Sequence, residues 1–272
     1  FPITINYGGA TDGTSGVSSV ELWVKSPGGS WGYTGQSSTS APGGNINFSG
    51  FDVEGTYYFD VVVVDGAGNR SAAPTGNGRA STVYDITNPT PGLITVPAWT
   101  NDVPVSIGYG AASDNLSGVT LYKMYYKLGT GGTWTVMDFD LTPAGGSVNF
   151  EVPNNIEGTY YLALRAADAA GNDTGVPTGN GTASFMFDVT RPGLPGETAS
   201  PNYANNSALP FHISYSGASD AGSGSGLDYV RLWYRKELTG TWTSTTQTIS
   251  APNGTFDFDP IPVGEGRYYF IA

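Results

Sequence analysis

The sequence predicts an all-β protein that consists of a tandem array of β-sandwich domains, and two observations lead to this prediction. The first is that the chain repeats itself, because residues 2–7 (PITINY) return as residues 104–109 (PVSIGY) and as residues 210–215 (PFHISY). Copies about one hundred residues apart are longer than solenoid units, which have roughly 20–50 residues, and match the size of a small domain. The second is that each copy alternates apolar and polar residues with period two, the pattern of strands.

The first strand of each copy is predicted by the alternation within these repeated segments. Ile3, Ile5 and Tyr7 alternate with Thr4 and Asn6, so that one face can be buried and the other solvated. The next strand repeats the pattern, with inward positions predicted at Val20, Leu22 and Val24, at Tyr122, Met124 and Tyr126, and at Val230, Leu232 and Tyr234.

Two further signals complete each copy. Trp31, Trp134 and Trp242 each follow a glycine-rich turn, as the second strand of a hairpin would. Residues 57–64 and 160–167 are apolar enough to be more deeply buried strands. About seven short strands per hundred residues, separated by turn signals, predict an immunoglobulin-like sandwich.

The repeats divide the chain into three predicted immunoglobulin-like domains, residues 1–88, 89–190 and 191–272. Residues 85–89 (DITNP) and 188–192 (DVTRP) close one copy and open the next. These linkers are short and contain proline, which should restrict bending. Aligned with the second copy, the first lacks its first strand and the third lacks its last strand. We therefore expect this sequence to be a window on a longer polypeptide.

The composition is typical of an extracellular protein with a polar but weakly charged surface. Glycine accounts for 40 of the 272 residues and only 12% of the residues are charged, which suits many short strands joined by turns. A net charge of −12 with a pI near 4.2 argues against nucleic acid and anionic membranes as partners, since both attract basic surfaces. The absence of cysteine excludes disulfides and cysteine-type zinc sites, and the absence of a long apolar run predicts no membrane insertion within these 272 residues.

The second copy carries a set of motifs that resembles a known family. It contains residues 97–101 (PAWTN) and 113–119 (SDNLSGV), and it closes with residues 167–172 (ADAAGN) and 188–192 (DVTRP). Together these segments resemble the bacterial Ig-like repeats of large secreted and surface-anchored proteins. The resemblance implies an extracellular or cell-surface location, with a role as stalk, adhesin, surface layer or filament, or as an accessory domain of a secreted enzyme. A shared fold by itself does not choose among these roles.

The sequence offers no set of residues that predicts catalysis. His212 is the single histidine, and its alignment with Thr4 and Ser106 predicts an outward, solvated strand position. Without a cysteine or a second histidine, neither a serine nor a cysteine triad can be assembled. The conspicuous aspartates recur in every copy, which indicates a structural duty rather than a specialised pair of glycosidase carboxylates. The chain is therefore predicted not to be an enzyme and to have no catalytic residues.

An aromatic stripe runs along the predicted sandwiches. It consists of three residues on the second strand and three beyond the next turn: Trp23, Tyr125, Trp233, Trp31, Trp134 and Trp242. If exposed, these rings would form a platform that stacks on a glycan. If packed, they would shield the sheet as cross-strand pairs or bind a neighbouring chain. Because they recur in every copy, as core residues do, the packed alternative is favoured.

Acidic loops provide the strongest chemical signal. In an immunoglobulin-like topology, two loops of each copy and the linker from the preceding copy meet at the same end of the sandwich. The candidate ligands at these junctions are Asp85, Asp114, Asp168 and Asn172 at the first, and Asp188 and Asp220 at the second. Such oxygen groups suit Ca²⁺, which takes 6–8 of them. Alternatively each aspartate only folds its own turn, since no linear calcium motif such as an EF-hand loop is present.

We therefore expect a non-enzymatic, structural or adhesive extracellular repeat region that forms part of a longer surface protein or filament. Its expected partners are further copies of itself, neighbouring surface proteins or a glycan. The alternative is a carbohydrate-binding accessory region of a secreted enzyme, which would require the aromatic residues to form an open platform.

Overall fold

The computed structural model describes residues 2–205, 209–220, 224–259 and 264–272. Phe1, at which the first predicted domain begins, lies outside these residues, as do parts of the third predicted domain. The described residues form strands, loops and one short 3₁₀ turn at Pro153–Asn155. No helix in this part of the chain has the length and apolarity that a membrane crossing needs.

The first copy is a sandwich of two sheets. Its strands are β1 (Ile3–Tyr7), β2 (Val17–Lys25), β3 (Trp31–Ser38), β4 (Gly44–Phe48), β5 (Gly55–Asp65) and β6 (Ala80–Tyr84). One sheet is the antiparallel pair β1-β4, and the other has the order β3-β2-β5-β6. Phe48 from the first sheet packs with Leu22 and Phe59 from the second, so the core lies between the sheets.

The second copy has the same plan with two additional short strands at its start. Its strands are β7 (Ile94–Thr95), β8 (Trp99–Thr100), β9 (Val105–Tyr109), β10 (Val119–Leu128), β11 (Thr135–Val136), β12 (Gly146–Phe150), β13 (Gly158–Asp168) and β14 (Ala183–Phe187). The sheets are β12-β9-β7 and β11-β10-β13-β14-β8. The chain therefore crosses from one sheet to the other between β7 and β8, and β8 pairs in parallel with β14.

The third copy repeats the plan again. Its strands are β15 (Glu197–Ala199), β16 (Phe211–Ser216), β17 (Val230–Lys236), β18 (Thr243–Ile249), β19 (Gly254–Phe258) and β20 (Tyr268–Ile271). They form the sheets β15-β16-β19 and β18-β17-β20. The predicted fold class, a tandem array of immunoglobulin-like β-sandwich domains, is confirmed.

The predicted inward faces are buried, and the outward faces are less exposed than alternation alone suggests. Tyr122 and Met124 of β10 are buried in the second core, and Tyr126 packs against that core. On the opposite face of the sheets, however, Lys127 and Glu21 are only 4% and 6% exposed. Charged side chains reach such burial only when other groups satisfy them, so the outer face carries packing of its own.

A repeated tyrosine fixes a corner in each copy, which in the first two copies precedes the longest strand. The Tyr160 hydroxyl donates to the Ile156 carbonyl oxygen at 2.9 Å, which ties the corner to the strand. Gly158, two residues before the tyrosine, has φ 140°, a backbone conformation that favours glycine. This geometry explains why a Gly-x-Tyr motif recurs along the chain. The other two corners are Tyr57 with Val53 and Gly55, and Tyr268 with Gly264 and Gly266.

Residues 89–190 should fold on their own, because the core cluster of the second copy draws its members only from residues 94–187. We expect this fragment to show a β-type circular dichroism spectrum and one cooperative thermal transition. Replacing the fully buried Leu162 by alanine should lower its free energy of unfolding by roughly 2–5 kcal/mol. Leu116→Ala, at a 42% exposed position, should change it little. A fragment without a cooperative transition would contradict the predicted domain boundaries.

Candidate functional site

Three aspartates from different segments meet where the first copy joins the second. Asp85 directly follows β6, Asp114 lies between β9 and β10, and Asp168 is the last residue of β13. One carboxylate oxygen from each lies within 4.8 Å of the other two. The structure thus brings together the three carboxylates that the sequence placed at this junction.

Asp85 fastens the linker to the copy that follows. It is only 6% exposed, and its Oδ1 accepts a hydrogen bond from the Thr87 N–H at 3.1 Å. Its Oδ2 accepts from the Ser117 N–H at 3.0 Å, which belongs to a loop of the second copy. The carboxylate therefore shapes its own turn and holds the neighbouring domain.

Asp114 has one oxygen in use and one that is not. Its Oδ2 accepts from the Leu116 N–H at 3.0 Å and from the Gly118 N–H at 2.7 Å. Its Oδ1 is buried and has no hydrogen-bond partner among the described residues. Leaving a buried charged acceptor unsatisfied is costly. This oxygen is therefore suited to a ligand that the protein itself does not supply.

Asp168 and Asn172 form the third side of the junction. Asp168 Oδ1 accepts from the Gly171 and Asn172 N–H groups at 2.8 and 2.9 Å, and its Oδ2 accepts from the Asn172 side-chain amide at 2.7 Å. Burial raises the pKa of Asp168, but these hydrogen bonds outweigh it, so the pKa lies below its ordinary value. The same amide nitrogen donates to the Asp85 carbonyl oxygen at 3.0 Å. Asn172 thus joins the two copies through its nitrogen in this arrangement.

In the corresponding loops of the first copy, the equivalent aspartates form turns through local hydrogen bonds. Asp12 Oδ2 accepts from three successive N–H groups, the nearest being Ser15 at 2.7 Å. Asp65 binds the backbone and side chain of Asn69 as Asp168 binds Asn172. Hydrogen bonds, first from Thr14 and from Asn69 respectively, lower the pKa of Asp12 and of Asp65. What distinguishes the junction is therefore the additional carboxylate from the linker.

The second junction repeats part of this arrangement. Asp188 is 8% exposed, and its Oδ2 accepts from the Ser225 N–H at 2.6 Å, a hydrogen bond that lowers the pKa of Asp188. Asp220 Oδ2 accepts from the Gly226 N–H at 2.9 Å. Its Oδ1 is buried and, within the described part of the chain, has no hydrogen-bond partner. A Cβ atom at Gly224 would lie within 2.8 Å of an oxygen of each carboxylate, so both approach the same backbone segment.

A glutamate that the sequence analysis missed holds the first linker. Glu54 Oε1 accepts from the Ile86 N–H at 2.8 Å and from the Thr87 hydroxyl at 2.7 Å. Its Oε2 accepts from the Asn115 amide of the second copy at 3.2 Å. These hydrogen bonds, the Thr87 hydroxyl first, lower the pKa of Glu54. One side chain thus contacts the linker and the next domain.

The second linker is held in the same way. Glu157 Oε1 accepts from the Val189 N–H at 2.8 Å and from the Thr190 hydroxyl at 2.7 Å. The signal was present in the sequence, because a glutamate precedes the Gly-x-Tyr-Tyr motif in every copy, including Glu265 in the third. Its partners could not be recognised, since the linker lies more than thirty residues away along the chain.

The predicted aromatic stripe is packed against cations. In the second copy the Lys127 ammonium lies 5.3 Å from the ring centroids of both Trp134 and Tyr161. It also donates to the Thr130 carbonyl oxygen at 2.8 Å and to the Asn180 amide oxygen at 3.2 Å. A cation close to two aromatic rings gains cation–π attraction, which helps to offset the burial of its charge. We refer to this arrangement as the cation clamp.

The cation clamp follows from strand register. Lys127 of β10 is directly opposite Tyr161 of β13, and such pairs have adjacent side chains. A basic residue precedes the hairpin tryptophan by six or seven positions in every copy, so the sequence carries a signal for this contact. The other two clamps are Lys25 with Trp31 and Tyr58, and Arg235 with Trp242 and Tyr269.

The remaining members of the stripe differ in exposure. Tyr125 is buried, and its hydroxyl accepts from Arg165 at 3.3 Å. Trp23 is half-buried and donates from its ring nitrogen to Glu21 at 3.2 Å. Trp233 is 40% exposed. In the first two copies these rings thus shield the sheet and engage charged neighbours.

The single histidine lies on the surface, as its alignment predicted. His212 Nδ1 is 2.7 Å from Asp257 Oδ1, and both side chains are largely exposed. The two residues are directly opposite each other on β16 and β19. The contact is therefore a cross-strand surface pair.

The sequence matches one model of a known protein family. A family model described as the bacterial Ig-like domain matches residues 3–77 and 112–188, together more than half of the chain. No curated protein matches the sequence.

Two solved structures are similar to most of the chain at low identity. One, described as the tetra-tandem repeat in the extending region of a large adhesion protein, is 16% identical over 95% of this chain and 66% of its own, with a TM-score of 0.32. The other, the FN1–FN3 domains of chicken CNTN1, is 14% identical over 96% of this chain and 84% of its own, with a TM-score of 0.32. At these TM-scores neither structure bears on how the copies are arranged or on what the chain does.

The cation clamp predicts an unusually large effect of one lysine. Lys127→Ala should lower the free energy of unfolding of the second copy by about 1–3 kcal/mol, because it removes two ring contacts and two hydrogen bonds. Lys123→Ala, which removes a lysine paired with the fully exposed Asp140, should cost less than about 1 kcal/mol. Urea denaturation of both variants measures the difference. Equal losses would mean that the clamp contributes no more than a surface ion pair.

Proposed function

Because the chain belongs to the bacterial Ig-like domain family, we propose that it is a non-enzymatic structural repeat region of an extracellular, cell-surface protein. In this role the copies act as a spacer in an adhesin or filament and set the distance and direction of whatever the longer protein presents. Its partners are further copies of itself or neighbouring surface proteins. The proposal does not include an active site, in keeping with the absence of cysteine and the single, surface-paired histidine.

The observation that carries the spacer role is the way each linker is held. At the first junction the linker is fixed by Glu54 on one side and enters the next copy through Asp85, which binds the Ser117 N–H. Asn115 and Asn172 of the second copy add hydrogen bonds back to the first copy. Hydrogen bonds from both sides restrict rotation about the linker. A repeat region whose linkers resist bending transmits length and force better than a flexible string.

We further propose that Ca²⁺ binds at the first junction, with Asp85, Asp114 and Asp168 as carboxylate ligands. The support is the approach of their oxygens to within 4.8 Å of one another and the buried, unpartnered Asp114 Oδ1. Ca²⁺ takes oxygen ligands at about 2.3–2.6 Å in flexible geometry, so small side-chain movements would suffice. Asn172 would contribute an oxygen if its amide turned, and otherwise positions Asp168.

At the second junction we propose Asp188 and Asp220 as carboxylate ligands of a Ca²⁺ ion. Both approach the backbone at Gly224, and Asp220 has a buried oxygen without a hydrogen-bond partner among the described residues. In either junction the cation would offset repulsion between carboxylates drawn from two copies. Binding would therefore stiffen the connection.

The packing of the aromatic stripe favours the spacer over a carbohydrate-binding accessory region built on that stripe. Trp31 and Trp134 face the ammonium groups of Lys25 and Lys127, and Tyr125 is buried. These rings are therefore not available as a continuous stacking platform in the first two copies.

The spacer role predicts an elongated particle. Small-angle X-ray scattering of the 272-residue chain should give a rod with roughly 35–45 Å per copy, the length of a sandwich laid end to end. Glu54→Ala, which frees the first linker on one side, should shorten the average end-to-end distance. Glu151→Ala removes an exposed glutamate outside the linkers and should leave it unchanged. A compact particle for the parent chain would contradict the proposal.

The calcium proposal predicts a stability that depends on the cation. The melting temperature of the full chain should rise with CaCl₂ and return to its original value with chelator. At a hundredfold excess over Kd, one bound cation should add about 2.7 kcal/mol to the free energy of unfolding. Asp114→Ala should remove the part of the shift that belongs to the first junction.

The matched control is Asp12→Ala, which removes the corresponding turn aspartate in the first copy without touching a junction. It should lower stability while keeping the full calcium response. If calcium leaves the parent transition in place, or if the two variants respond alike, these aspartates are turn-formers only.

A further inference from the structure

A groove of about 560 Å³ lies at the junction of the second and third copies. Its walls are β8 with the following Asn101, the linker residues 188–192, and Ser225 of the third copy. The volume falls within the range typical of small-ligand sites, roughly 300–1,000 Å³. Nothing in the spacer role requires such a groove.

The groove has an exposed aromatic ring on a fixed backbone. Trp99 is 62% exposed, the highest fraction among the six tryptophans of the chain. Its strand is nevertheless held in place, because the Met186 N–H donates to the Ala98 carbonyl oxygen at 2.9 Å and the Asp188 N–H donates to the Thr100 carbonyl oxygen at 3.1 Å. Because the backbone that carries the Trp99 ring is already fixed, ligand binding loses little conformational entropy there.

Polar side chains of several kinds surround this ring. The groove residues include Asn101 and Arg191, together with Thr100, Thr190 and Ser225. The Thr190 hydroxyl donates to Glu157 and the Thr100 hydroxyl accepts from the Asp102 N–H, so the Asn101 amide and the Arg191 guanidinium are the groups assigned to polar recognition. Hydroxyl and amide groups both donate and accept hydrogen bonds, and a guanidinium donates several. The lining therefore suits a ligand that carries many hydroxyl groups.

The same features disfavour other classes of ligand. A polyanion would be repelled by the net charge of −12 and by the Asp188 carboxylate at the groove. An apolar peptide is disfavoured because six of the nine groove residues are polar, and Trp99, Val189 and Pro192 are the apolar ones. A pyranose ring combines an apolar C–H face with a rim of hydroxyl groups and matches both parts of the site.

The exposed aromatic recurs in the third copy. Tyr203 occupies the position of Trp99 in the aligned segments 201–205 (PNYAN) and 97–101 (PAWTN), and it is 96% exposed. The hairpin tryptophans also recur, but each of them lies against a cation. Among the described residues of the third copy no strand corresponds to β14, so Trp99 is the member of this aligned pair that lies in a groove.

We propose that the groove at the second junction binds a neutral polysaccharide, with one pyranose ring stacked on Trp99 and its hydroxyl groups hydrogen-bonded to Asn101 and Arg191. The inference rests on the adhesive part of the proposed function and names the chemistry of its partner.

The test is isothermal titration of the full 272-residue chain with three probes: cellohexaose, maltohexaose and chitohexaose. We expect at least one of them to bind, Trp99→Ala to weaken that binding about tenfold or more, and Trp99→Tyr to retain most of it. Trp99 is exposed, so the melting temperature of Trp99→Ala should equal that of the parent chain.

The matched control is Trp233→Ala, which removes another partly exposed tryptophan outside the groove and should leave oligosaccharide binding unchanged. The proposal is wrong if none of the three probes binds, or if Trp99→Ala binds as well as the parent chain. Such a result would leave the spacer role intact, because that role is measured by the scattering length and not by glycan binding.

Discussion

Each junction of this chain depends on the burial of a carboxylate at the point where one copy ends and the next begins. Asp85 and Asp188 are both less than 10% exposed, although they lie at the start of short linkers. A buried carboxylate must be satisfied, and in each case one N–H comes from the linker and another from the following copy. The need to satisfy one charge therefore couples neighbouring domains, and the arrangement of the acidic loops around it follows.

On the outer faces of the sandwiches, buried cations must likewise be satisfied by neighbouring groups. Lys127 is buried on the side of the sheet where alternation would place solvent, and it is satisfied by two rings and two oxygens. Aromatic residues that could have formed an open platform thereby become part of the packing. Trp99 differs from these rings, because it is 62% exposed and lies in the groove at the second junction.

The junction unites the spacer role and the proposed glycan site. A groove between two domains keeps its shape only if the domains keep their relative positions, and Glu157 and Asp188 hold the second linker from both sides. Rigid connections would thus serve the length of the array and the geometry of the groove at once. A cation bound by Asp188 and Asp220 would act on the same linker.

The sequence by itself determined the strands, the repeats and the meeting of Asp85, Asp114 and Asp168, because period-two alternation sets which face is buried and topology sets which loops share an end. Turn formation by the recurring aspartates was an alternative that the sequence left open, and the hydrogen bonds by which Asp12 and Asp65 fold their turns are local. Only the tertiary structure decided which outward residues are covered. The burial of Lys127 and the hold of Glu54 on the first linker depend on neighbours that are distant in sequence and adjacent only after the strands pair. The exposure of Trp99 was beyond the sequence for the same reason, because it depends on how β8 lies beside β14.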